Sequence, residues 1–113
     1  MTAEEFRKVE LKVGEVLAAE MVAGSNKLMK MDVDIGEKDE AGNLLPRQIV
    51  AGIGKVYKPE EVTGRKIIVV ANLEPREIMG LRSNGMLLAA SDGNGDPVIL
   101  AVERDVQPGA KIT

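Results

Sequence analysis

Gln48-Ile49-Val50-Ala51-Gly52-Ile53, then Pro59-Glu60-Glu61-Val62 followed by Gly64, then Ile67-Ile68-Val69-Val70-Ala71, form the stretch on which the architecture turns. The first run reads as a strand. In the second, proline and two acids stand where a short helix would start, and glycine where it would stop. The third is a continuous apolar run, consistent with a buried strand.

Upstream, Val9, Leu11 and Val13 alternate with Glu10, Lys12 and Gly14, the period of a half-buried strand. Gly14 breaks the phase, which Val16 and Ala18 resume, so a bulge or sharp bend is expected there. Met29, Met31, Val33 and Ile35 alternate with Lys30, Asp32 and Asp34 in a second strand, after the turn cluster Ala23-Gly24-Ser25-Asn26. Before all of these, Thr2-Ala3-Glu4-Glu5 fits a capping box, with a single helical turn running to Lys8. Downstream, residues 72–85 read as a long connection, Met86 to Ala90 as a fifth strand, Asp92-Gly93-Asn94-Gly95-Asp96 as a hairpin turn and Val98 to Val102 as a sixth strand. Sandwiches rarely place one helix between such strands. A five-stranded Greek-key barrel of the OB type does, between its third and fourth strands. The expected class is therefore all-β, an OB barrel with an extra C-terminal strand and tail.

The 113 residues suffice for one domain, residues 1–113, and for no second. Cysteine and histidine are both absent, which excludes disulfide frameworks, thiolate sites, and Ser-His or Cys-His catalysis. An enzyme here would need carboxylate, Lys or Tyr chemistry, and no pair of acids sits in an apolar setting that would split their pKa values. The chain is read as non-catalytic, without cofactor or metal. No apolar run approaches a membrane span and the N-terminus lacks an apolar signal segment, so the expected address is the cytoplasm.

Several motifs fail on inspection. Gly52-Ile53-Gly54 lacks the third glycine of a dinucleotide fingerprint. Gly54-Lys55 lacks both the first glycine of a phosphate loop and its Ser or Thr. Asp92, Asn94, Asp96 and Glu103 match four ligand positions of a calcium loop, but Pro97 stands where that loop needs glycine.

Charge is unevenly spread. Residues 1–43 balance to −4, residues 44–86 to +3 and residues 87–113 to −2. A nucleic-acid binder needs a positive patch rather than a positive total. On the OB plan, residues 22–27 and 72–85 are the two loops through which the fold takes oligonucleotides. The second holds Asn72, Pro75, Arg76, Gly80, Arg82, Ser83, Asn84 and Gly85. These supply two guanidiniums, a hydroxyl, two amides and exposed backbone N–H groups, which are phosphate and sugar ligands. The alternative is that Pro75 and the glycines only shape a turn, with the arginines bridged to Glu74 and Glu77.

Asn72-Leu73-x-Pro75-Arg76, then Gly80, then Ser83-x-Gly85-Met86 and an apolar strand resemble the tRNA-binding domain of the methionyl-tRNA synthetase C-terminus, a module also found as free-standing tRNA-binding proteins. The likeness extends to Phe6 through Gly14, Asn26-Lys27-Leu28, Ile49 through Ile53, Tyr57 through Glu61, and Pro108-Gly109. It implies an OB fold that binds tRNA without chemistry, as a homodimer packed through the extra strand and tail, and as a partner of a synthetase's catalytic part. Carried over position by position, the implied tRNA contacts are Asn26, Lys27, Lys30, Asn72, Pro75, Arg76, Gly80, Ser83, Gly85 and Met86, with Arg82 as a further candidate. Glu77 stands where the family commonly has a basic residue, and Val22-Ala23-Gly24-Ser25 where it usually has His-Pro. A second reading is a protein-interaction or secretion-related chaperone module on the same barrel; Ser83-Asn84-Gly85-Met86 favours the synthetase type.

Overall fold

The computed structural model describes residues Met1–Thr113. Ten strands and two short helices follow one another as α1 (Ala3–Phe6), β1 (Leu11–Met21), β2 (Met29–Asp34), β3 (Arg47–Ala51), α2 (Pro59–Val62), β4 (Lys66–Val70), β5 (Arg76–Ile78), β6 (Leu81–Ser83), β7 (Met86–Leu87), β8 (Ala89–Ser91), β9 (Pro97–Ile99) and β10 (Lys111–Ile112). The antiparallel path runs β3-β2-β1-β4-β7. It curls until β3 meets the β6–β7 link: Asn84 N donates to Gln48 O at 2.8 Å, and Val50 N to Ser83 Oγ at 3.0 Å. The result is the expected five-strand OB barrel, nearly closed, with α2 between the third and fourth barrel strands.

The alternation read in the sequence fills the interior. Met29, Met31, Val33 and Ile35 are buried, as are Ile49, Ile67, Val69 and Leu87. Val62 of α2 is fully buried beside them, so the helix plugs one end of the barrel. Pro59 opens that helix, the Lys58 N–H donates to Glu61 Oε1 at 2.9 Å, and Gly64, at φ 89°, ends it. Thr2 and Glu5 make the reciprocal capping box of α1 at 3.1 Å each way.

Four expectations need correction. Strand β1 starts at Leu11, and its bulge lies between Val16 and Ala18, at Leu17, rather than at Gly14. Gly14 answers a different need: a Cβ there would come within 2.6 Å of Val33 Cγ1, so the glycine lets β1 approach β2 closely. Residues 72–85 are not an open connection, because β5 and β6 pair as a hairpin. The fifth run divides. Met86–Leu87 pairs with β4, and Ala89–Ser91 turns away to pair with β9. The sixth runs from Pro97 and stops at Ile99, whose N–H goes to Tyr57 Oη at 3.1 Å. The tail then returns, and Leu11 pairs with Ile112. No helix is long and apolar enough to cross a membrane.

Arg47 ties three segments together. Its Nε and Nη2 donate to the two carboxylate oxygens of Glu37 at 2.8 and 2.9 Å, and its Nη1 donates to Ala71 O. The guanidinium's hydrogen bonds hold the Glu37 carboxyl below its ordinary 4.5, against the opposing effect of burial. The folded value is lower than the unfolded one. The pair's contribution is therefore complete above pH 4.5 and is lost as pH falls through the folded value. Wild type is expected to lose melting temperature faster than Glu37→Gln between about pH 5 and about pH 3. Parallel losses in thermal melts across that range would show that the pair carries no such dependence.

Candidate nucleic-acid interface

Two segments build one face of the barrel. The first is the loop Val22–Leu28, closed by Val22 N donating to Leu28 O at 2.9 Å. Ser25 Oγ accepts from Lys27 N at 3.3 Å and Leu28 N at 3.0 Å, which fixes the loop and leaves Asn26 and Lys27 exposed at its tip.

The second is the β5–β6 hairpin. Its pairs are Arg76↔Ser83, Glu77↔Arg82 and Ile78↔Leu81, leaving Met79-Gly80 as a two-residue turn. Both turn residues are left-handed, at φ 49° and 78°, as a type I′ turn requires. The hairpin tip reaches the first loop: a Cβ on Gly24 would sit 3.8 Å from Met79 Cε.

Alternation along the hairpin separates its charges. Ser83 is buried and held by β3, so its cross-strand partner Arg76 shares the barrel-facing side. Arg76 lines a cleft with Lys27, Val50, Ile53, Ile78 and Met86. Glu77 and Arg82 are the next cross-strand pair, where the carboxylate offsets the guanidinium; Glu77 also lines the cleft, and Arg82 does not. Neither arginine forms an ion pair, so the bridging alternative is not the arrangement found.

The other sequence-derived positions divide in two. Pro75 is exposed just before Arg76, Gly80 occupies the hairpin turn, and Met86 lines the cleft at 45 % exposure. Gly85 lies close over the core, where a Cβ would be 3.2 Å from Ile49 Cδ1. The polar ends of the rest are engaged by the protein itself. Asn72 Oδ1 accepts from Glu10 N at 2.9 Å, and its Nδ2 donates to Lys8 O at 2.6 Å, clamping the N-terminal segment onto the end of β4. Ser83 Oγ accepts from Val50 N and donates to Gly85 O at 3.3 Å. Lys30 is 2.7 Å from Glu20 across the β1–β2 ladder, away from the cleft, and that hydrogen bond raises its pKa.

Sequence reasoning passed over Gln48, whose Nε2 donates to Arg82 O at 2.9 Å and so joins the hairpin to β3. It also passed over Ile78 and Gly52 in the cleft wall. The symmetry of Ile78 and Leu81 about Met79-Gly80 is the signal that would have revealed the hairpin.

Residues 11–111 match the family model described as "Putative tRNA binding domain". Over all of its length the chain is 50% identical to a methionine–tRNA ligase of Caldanaerobacter subterraneus, and over 96% it is 53% identical to that of Methanothrix thermoacetophila. It spans only 16% and 15% of those proteins. Among solved structures, a MetRS-related protein of Pyrococcus horikoshii superposes with TM-score 0.88 at 36% identity, covering all of this chain and 97% of that one. The chaperone CsaA of Bacillus anthracis superposes with TM-score 0.84 at 29% identity, over all of this chain and 98% of that one.

Proposed function

Because this chain belongs to the tRNA-binding domain family, we propose that residues 1–113 act as one non-catalytic module that binds tRNA through the face between the first loop and the β5–β6 hairpin. The observation that carries the reading is the convergence of Lys27 and Arg76, both free of ion pairs, on one cleft. Phosphate contacts from such cations place nucleic acid without reading its sequence. Relatives that are methionine–tRNA ligases support a further step. Appended to such an enzyme, the module would raise the local concentration of tRNA at the catalytic part.

The module is proposed to act as a homodimer. Beyond the barrel, Val98, Leu100 and Val106 stand 46%, 40% and 38% exposed. The β8–β9 hairpin that carries Val98 belongs to neither neighbouring sheet, leaving its edges unpaired. Exposed apolar side chains beside an unpaired hairpin offer a surface for association. The CsaA likeness favours a chaperone module as the second reading, at lower identity than the ligases.

Sedimentation tests both parts at once. The free chain is expected at twice the chain mass at micromolar concentration, and added bulk tRNA is expected to move it into a faster boundary. A stable monomer would remove the dimer, and a boundary unmoved by tRNA would favour the chaperone reading.

A further inference from the structure

The cleft between the first loop, β3 and the β5–β6 hairpin has a volume of about 560 Å³. Its floor is apolar, made by Val50, Ile53, Ile78 and Met86. Lys27 stands on one rim and Arg76 with Glu77 on the other. Two cations free of ion pairs against one carboxylate leave the two rims together net positive. An occupant that fits has a flat apolar body and negative charge beside it. Resting on the tRNA-binding reading, we propose that the cleft receives one unpaired nucleotide of the tRNA, its base against the apolar floor and its phosphates held by Lys27 and Arg76.

The volume lies within the range of sites that enclose a small ligand, roughly 300–1,000 Å³. A paired base cannot reach such a floor, because a duplex presents only its backbone and groove edges. A base splayed from a loop or a strand end can. No aromatic ring lines the cleft, so the base packs against Met86 and Ile78 by burial and dispersion instead of stacking. Methionine adapts its shape, and the floor offers no polar side chain to read a base edge. The cleft therefore accepts different bases with little preference.

Gly52 gives a probe that removes no charge. It lines the cleft, a Cβ there meets nothing within 4 Å, and its φ is not left-handed. Gly52→Leu therefore adds bulk to the cleft and keeps Lys27 and Arg76. The experiment follows labelled bulk tRNA by fluorescence anisotropy, with an unlabelled single-stranded RNA of about eight nucleotides and its duplex form as competitors. The single strand is expected to compete at least roughly tenfold better than the duplex. Gly52→Leu is expected to weaken tRNA binding at least roughly tenfold, with its melting temperature and salt dependence unchanged. Equal competition by the duplex overturns the inference, and this arm needs no variant. A folded Gly52→Leu that binds like wild type overturns it too, while leaving tRNA binding itself intact. Wild type that binds no tRNA removes the underlying reading instead, and the cleft assignment falls with it.

Discussion

Arg76→Ala is expected to weaken tRNA binding by about 1.5–3 kcal/mol, the range for a hydrogen bond to a charged group. That is roughly a 10- to 150-fold loss. Arg76 sits just after Pro75, which restricts the backbone there, and its side of the hairpin faces the cleft shared with Lys27. A guanidinium holds a phosphate with two parallel hydrogen bonds, a geometry lysine cannot match. Arg82→Ala should cost less, since Arg82 lies across from Glu77 and does not line the cleft. Thermal stability should barely move, because Arg76 is exposed and makes no ion pair. Arg104→Ala, exposed and outside both segments, is the control. If Arg104→Ala loses binding while Arg76→Ala keeps it, the interface lies on another face.

Ile49→Ala carries the largest expected loss of stability, about 2–5 kcal/mol. Ile49 is 0% exposed at the middle of β3, opposite Met31. Truncation removes buried methyl groups and leaves a hole that a closed barrel cannot collapse around. The total stability of such a domain is only about 5–15 kcal/mol, so the loss is a large share of it. The site should suffer as well. Gly85 passes 3.2 Å from Ile49 Cδ1 at its would-be Cβ, and the neighbouring Val50 N is the donor that holds Ser83. Urea unfolding should show a lower midpoint at an unchanged slope. A midpoint equal to wild type would mean that the core packs elsewhere than around β3.

The strands that alternate were legible because one face is buried and the other wet. Met29 through Ile35 shows this, with every second side chain inside the barrel. The α2 boundaries were legible because Pro59 and Gly64 act through local backbone geometry alone. The β5–β6 hairpin was not. A type I′ turn is ordinarily signalled by Asn-Gly or Asp-Gly, and here Met79 holds the first left-handed position. The roles of Asn72 and Ser83 were hidden for another reason. Their partners lie 62 and 33 residues away, and no local pattern reveals whether a polar side chain faces solvent or a distant backbone N–H. The exposure of Arg76 and Lys27 was legible because cations in turns and hairpins stay solvated whatever the tertiary detail.

The most direct test is a gel-shift titration of the wild-type chain with bulk tRNA across a salt series, with double-stranded DNA of similar length as the control. Few basic side chains belong to the two segments, Lys27, Arg76 and Arg82, so the log–log salt slope should be shallow, on the order of −2 to −3 per chain. The expected result is that tRNA is retarded at protein concentrations that leave the DNA free, with affinity falling as salt rises along that slope. Equal retardation of tRNA and DNA, or an affinity for tRNA that does not change with salt, would contradict binding through the Lys27–Arg76 face.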